Sequence, residues 1–247
     1  MIFGSTLTGH VAQAQNNGLL TQKLIGDEAR LFVTLAQESA HFRSFAKRLT
    51  TEYSQQFSFD PQQVEVTKMV YANEATVVVK FPINGGAGYS HYSVMINPET
   101  HHKADEVALL FTEDSDGNID NYIERNGQSL AELKVTKDGE IIHSTNEGLG
   151  YPTTTDRSVD SENAGAIQSA RCDVICCLNG CLSSQGIPGW VLAGLGFLCG
   201  ALCLGTIGAR CGPCLATGLG IVSSTASFCA QQCIVERVPY NDCVGGC

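Results

Sequence analysis

Apolar positions change period as the chain is read from its N-terminus. Over 27–53, Leu31, Leu35, Phe42, Phe45 and Leu49 recur on one stripe, while Glu28, Glu38, Arg43 and Lys47 fall on the watery side. That 3.6-residue spacing predicts one long helix. From Val64 onward the period falls to two. The runs 64–71 and 76–81 flank Asn73-Glu74 and are rich in β-branched residues, which predicts a hairpin. Short strands are expected over 89–96, 106–112, 118–124, 131–136 and 140–143. Asn84-Gly85-Gly86, Asn97-Pro98, Asp116-Gly117, Asn126-Gly127 and Asp138-Gly139 separate them, and most supply the positive φ of tight turns. The expectation for 27–152 is an α+β domain, one long helix on an antiparallel β-meander, with a core of its own. Residues 1–26 are set apart as a remnant signal peptide or a disordered N-terminus. Ala12-Gln13-Ala14 places small residues at the positions that determine signal cleavage.

The stretch TTTDRSVDSENAGAIQSA has no period and too few large apolar residues to fold. Residues 153–171 are therefore expected to form a cleavable linker, with the cut at Ala170-Arg171, where small residues meet a basic one. Beyond it the pattern is helical again and almost uninterrupted by charge. Residues 187–209 and 211–235 carry none, and glycine recurs through both. The expectation for 172–247 is a disulfide-rich all-α module, which makes the whole chain two-domain.

Composition sharpens that division. All 12 cysteines lie at or after Cys172. The first 171 residues hold 13 Lys+Arg and 22 Asp+Glu, for a net charge of −9, whereas the last 76 carry only −1. An acidic N-terminal part without clustered Lys/Arg excludes nucleic acid as a partner. Cysteine at this density persists as disulfide in an oxidising compartment, so the chain is expected to be secreted.

Cys172/Cys176, Cys177/Cys181, Cys199/Cys203, Cys229/Cys233 and Cys243/Cys247 are five C-x-x-x-C pairs, and Cys211/Cys214 form one C-x-x-C. Residues i and i+4 share a helix face, so two helices each bearing such a pair can be stapled twice into a hairpin. Zinc competes for these thiols. Yet a zinc ribbon needs two C-x-x-C knuckles or Cys/His sets, and no histidine follows His143. All twelve cysteines are therefore expected in disulfides, with no metal and no cofactor. Cys211-Gly-Pro-Cys214 has the form of a redox motif without the strand that should precede it. Residues 187–209 are long enough to cross a bilayer, and Trp190 lies where an interfacial anchor would; the competing reading is the buried core of a stapled fold. His101-His102 reads as a solvated loop. Asp114, Asp116, Asn118 and Asp120 imitate a calcium loop, but Gly117 is out of place and Arg125 stands where the bidentate glutamate belongs. No nucleophile elbow, zincin, phosphate-loop or dinucleotide motif occurs, so an enzyme is not expected.

The segments CDVICCLNGC, GLGFLCGALCLGTIGARCGPC, FCAQQC and CVGGC, placed behind a longer polar domain, resemble the halocin-like (microhalocin-type) bacteriocin precursors. The resemblance covers about the last third of the chain. It implies release of the C-terminal part as an antimicrobial peptide, with the N-terminal part as a companion that protects the producer. The expected partners are the membrane or an envelope protein of target cells, and the chain's own N-terminal domain. The alternative is a secreted cysteine-rich surface or lipid-binding protein that is never processed.

Overall fold

The computed structural model describes residues 20–53, 56–71, 74–146, 177, 180–205 and 229. Its framework is a nine-stranded, wholly antiparallel sheet: β1 (Leu20–Lys23), β2 (Phe57–Phe59), β3 (Glu65–Tyr71), β4 (Glu74–Gly85), β5 (His91–Ile96), β6 (Lys103–Glu113), β7 (Ile119–Arg125), β8 (Gln128–Val135) and β9 (Ile141–Asn146). The spatial order is β1-β3-β4-β5-β6-β7-β8-β9, with β2 pairing the end of β4. From β3 on, each strand pairs with its neighbour in sequence, and the turns after β4, β6, β7 and β8 lie at the expected Asn-Gly and Asp-Gly dipeptides. Asn126 (φ 51°) and Gly127 (φ 77°) both take the left-handed conformation a tight hairpin requires.

The fold class expected from the sequence needs correction. The molecule is mostly sheet with a few short helices, not one long helix on a meander. The stripe over 27–53 folds as α1 (Gly26–Gln37) and α2 (Ala40–Thr51). Ser39 makes the break. Its backbone is extended (φ −62°, ψ 137°) and its hydroxyl accepts hydrogen bonds from the amides of His41 and Phe42, so it caps α2. A continuous helix would have left that hydroxyl pointing elsewhere. Here it also donates to a carboxylate oxygen of Glu106, 2.7 Å away on β6. Strands β1 and β2 extend the sheet from segments of four and three residues, too short for a periodic signal.

The two helices cover one face of the sheet. Phe32 and Ala36 of α1, with Phe42, Phe45 and Leu49 of α2, pack on Val77, Val79, Phe81, Tyr92, Val94, Ala108 and Leu110. Aromatic rings fill the centre: Phe42 lies 4.5 Å from Phe81, and Phe45 4.9 Å from Tyr92, between ring centroids. Such pairs contribute about 1 kcal/mol each beyond the area they bury.

The described part of the C-terminal region does not stand apart. A helical turn at 180–184 leads through Ile187-Pro188 into α3 (Gly189–Gly205). Proline suits a helix start because its missing N–H is one that would go unpaired there. Five glycines in 17 residues make α3 a poor helix on propensity alone, each costing about 1 kcal/mol against alanine. Tertiary packing has to hold it, and β6–β8 supply the surface. The remainder of the expected all-α module, and the linker with Ala170 and Arg171, lie outside the described residues.

Candidate functional site

The second face of β6–β8 is almost entirely apolar. Val107, Leu109 and Phe111 of β6, Ile119 and Ile123 of β7, and Ala131, Leu133 and Val135 of β8 form one cluster with Trp190, Val191, Leu195 and Leu198 of α3. Cys177, Cys181, Leu182, Ile187 and Cys229 complete it. The run Val107 to Phe111 carries no polar position because both faces of β6 are buried. Ala108 and Leu110 point to the helices α1 and α2, while their neighbours point to α3.

Glycine sets how closely α3 approaches. A Cβ at Gly189 would stand 2.1 Å from the carbonyl oxygen of Asp138, and one at Gly139 (φ 92°) would stand 2.5 Å from the carbonyl oxygen of Gly189. The β8–β9 turn and the first residue of α3 thus meet backbone to backbone, and neither position admits a side chain. Trp190 follows at once. Its ring lies edge-on to Phe111 at 5.0 Å and to Tyr89 at 5.6 Å, and it is buried. Tyr89 holds a left-handed backbone (φ 58°), uncommon for a bulky residue and worth about 1–2 kcal/mol of strain. Opposite Trp190, the Asn121 amide donates to the tryptophan's carbonyl at 3.3 Å.

A disulfide joins Cys181 to Cys229, with 5.6 Å between Cα atoms and 48 residues of separation. It links one C-x-x-x-C unit to another. Cys177 is also disulfide-bonded, and no described cysteine is free. Cys199 and Cys203 fall within α3. Cys172, Cys176, Cys211, Cys214, Cys233, Cys243 and Cys247 lie outside the described residues. No described helix is long and apolar enough to cross a membrane: α3 is described over 17 residues, against the 23 of the charge-free stretch.

The face under α1 and α2 carries a buried network of charge. Glu106 accepts from Ser39 and from the Tyr92 hydroxyl at 2.7 Å. Glu124 pairs with Arg48 and accepts from Tyr122 at 2.9 Å. Burial, reinforced by Glu106, pushes the Tyr92 phenol well above its usual range. Burial likewise takes Tyr122 up to about 12. Burial opposes the charge on Arg48, but hydrogen bonds to Glu124 and Tyr122 outweigh it and hold the guanidinium charged. Both phenols therefore act as hydrogen-bond donors and not as bases, and the network fastens α2 to β6 and β7.

The other sequence candidates resolve into turns. Asp114 Oδ1 accepts from the amides of Asp116 (2.8 Å) and Asn118 (2.9 Å), and Oδ2 lies 2.6 Å from Lys134 Nζ. His101 is exposed in the 97–102 turn, edge-on to Phe32 at 6.0 Å. No group of three or more metal-binding side chains occurs among the described residues. Asn121 escaped the sequence reading, as did the contacts of Gly139, read only as a turn glycine, and of Gly189 and Gly194, read only as part of a glycine-rich run. The one available signal was the polar interruption of Ile119-x-Asn121-x-Ile123, which has meaning only once something is known to cover that face.

Comparison with protein-family models, curated proteins and solved structures returns no match to this chain.

Proposed function

We propose that the chain is the precursor of a secreted, cysteine-rich antimicrobial peptide acting at the envelope of competing cells, with the sheet domain as its protective or chaperoning leader. The observation that carries the reading is the seating of α3. A helix apolar on all sides has no stable place in water, and here Trp190, Val191, Leu195 and Leu198 are buried against β6–β8. An acidic, soluble domain thereby shields a segment suited to lipid or to a membrane protein. Staples such as Cys181–Cys229 would let the module keep its shape after separation. No catalytic role is part of this proposal. Release needs a cut in 153–171, and Ala170-Arg171 is the proposed position. The test is the intact mass and terminal sequence of the secreted product, reduced and unreduced. A 76-residue oxidised fragment that kills sensitive cells, and loses potency on reduction, is the expected result. An active full-length chain as the sole secreted species would end the precursor reading.

A second reading has one observation in its favour. Between α1, α2 and the strands β1–β4 lies a cleft of about 760 Å³, lined largely by apolar residues such as Leu24, Val33, Phe42 and Val66. Under the alternative of an unprocessed surface or lipid-binding protein, that cleft would hold an acyl chain. Lipid co-purifying with full-length protein would favour it.

A further inference from the structure

A polar side chain, Asn121, lies within the apolar seat of α3. Asn121 is 2 % exposed. Ile119 and Ile123 share its face along the strand, and Phe111 and Leu133 lie opposite it on the two neighbouring strands. Its amide nitrogen donates to the carbonyl of Trp190, while its Oδ1 has no partner among the described residues. A helix carbonyl at position i already accepts from the amide of i+4, and the side chain at i+4 leans back over it because Cβ bonds tilt toward the N-terminus. Position 194 is glycine, so the carbonyl of Trp190 is bare on that side. A Cβ at Gly194 would come within 3.3 Å of both Asn121 Nδ2 and Phe111 Cε1.

We propose that Asn121 is a positioning residue that admits an apolar helix of the pattern Trp-x-x-x-Gly in one register and limits how tightly that helix is held. Each half of the statement follows from the same atom group. Sliding α3 by one turn would bring Trp190 or Leu198 to the place of Gly194, and a shift of three would bring Val191 or Phe197. All four are large, and each would collide with Asn121 and Phe111. A polar residue in an apolar seam fixes register in this way at a cost in stability. The cost is the orphaned Oδ1. It loses water on docking and gains no partner in return, a penalty of about tenfold or more in the docking equilibrium. Leucine at 121 would hold α3 more strongly; asparagine keeps it in one place and releasable. The partner this surface fits is an α3-like helix, and the inference rests on reading α3 as a segment that leaves the sheet.

The test uses the full-length, oxidised, uncut chain. Trp190 is its one tryptophan, so quenching of its fluorescence by acrylamide reports transient undocking, and hydrogen exchange of β7 and β8 amides reports the same event independently. Asn121→Leu should lower the population of the open state about tenfold by both measures. Gly194→Ala should raise it in the parent chain, and should do so at least threefold less in an Asn121→Ala background, where the added methyl finds room. That coupling is a readout that a purely structural asparagine would not give. If Asn121→Leu leaves opening unchanged or increases it, or if Gly194→Ala costs the same in both backgrounds, the proposal is overturned. Should Asn121→Leu misfold, the Ala/Ala cycle decides alone. None of these measurements needs the linker to be cut, so their failure would fall on Asn121, whereas the mass of the secreted product judges the precursor reading.

Discussion

The two faces of the sheet are covered by helices in opposite ways. On one, α1 and α2 are held by interlocked aromatic rings and by a buried network in which Ser39 and Tyr92 bind Glu106, while Arg48 and Tyr122 bind one oxygen of Glu124 and its Oε1 has no partner among the described residues. On the other, α3 rests on aliphatic side chains, on Phe111 and Tyr89 around Trp190, and on close glycine contacts, and among the described residues the Asn121 amide reaches across to the Trp190 carbonyl. The contrast sets two kinds of adhesion side by side. A buried ion pair is costly to break because separation strands a charge away from water. Shape and apolar area can be surrendered and regained, particularly to another apolar surface such as lipid. Under the proposed function, the first cover stays and the second is the one that would come away whole.

The largest effect that would sharpen this comparison is on the module side. Replacing Cys181 and Cys229 with alanine opens a loop of 48 residues, which chain entropy values at roughly 4 kcal/mol. If the two covers are independent, thermal unfolding followed by Trp190 fluorescence should shift strongly while the far-ultraviolet signal of the sheet moves little. A common shift in both signals would show that the faces unfold as one. Next comes Arg48→Met. It leaves the Glu124 side chain, 2 % exposed, without its cation. Because the guanidinium is itself partly exposed, the lower end of the usual range applies, about 3 kcal/mol. Here the loss should appear in denaturant unfolding of the whole domain, since β7 serves both faces. A change below 1 kcal/mol would mean that the network is not what fastens α2.

Much of this architecture could be read in advance, and the failures have physical causes. Strands β3 to β9 lie where alternation and turn dipeptides place them, because hairpin chemistry is local. The long-helix expectation failed at Ser39, whose hydroxyl caps α2 and also donates to Glu106, 67 residues away, because a 3.6-residue stripe continues unbroken through a capped corner. The seat of α3 stayed hidden for a different reason. Val107 to Phe111 is a continuous apolar run, the mark of a strand buried on both sides, and the meander expected from the sequence left one side wet. The glycines of α3 suggested close approach to another helix; Gly189 and Gly194 serve close approach to a turn and to the sheet, and Gly196 has nothing near it.

A smaller effect isolates the corner between α1 and α2. Ser39→Ala removes a helix cap and a donor to Glu106, and should cost about 1–2 kcal/mol. Ser39→Asn, which can still cap, should recover part of it in the same denaturation assay. The loss belongs to the helix-covered face, so Trp190 quenching at low denaturant should be unchanged. A rise in quenching would mean that strain at Ser39 reaches the α3 seat through β6.

The smallest expected effect is the one that separates the faces by acidity. Lys134 holds the Asp114 carboxyl below its ordinary 3.8, at about 2, helped by the amides of Asn118 and Asp116. A carboxylate whose pKa is depressed in the folded state adds stability that is complete above its unfolded value. That increment is lost as pH falls from about 3.8 through about 2. Asp114 closes the β6–β7 turn, so this limb of the acid titration belongs to the hairpin. Asp114→Asn keeps an oxygen for the two amides and gives up the pairing with Lys134. Its stability should therefore fall below the parent's at neutral pH and converge with it toward pH 2. The cluster around α3 is built of apolar side chains, and the buried Asp105, two residues before Val107 on β6, is paired with Arg125 and not with Lys134, so the docking of Trp190 should not follow that limb. Parallel titrations of global stability and of Trp190 quenching, in the parent and in Asp114→Asn, make the comparison direct. If quenching rises with the same midpoint as the hairpin loses stability, and the substitution abolishes both, then the two covers share one acid-sensitive support and are not separable by charge.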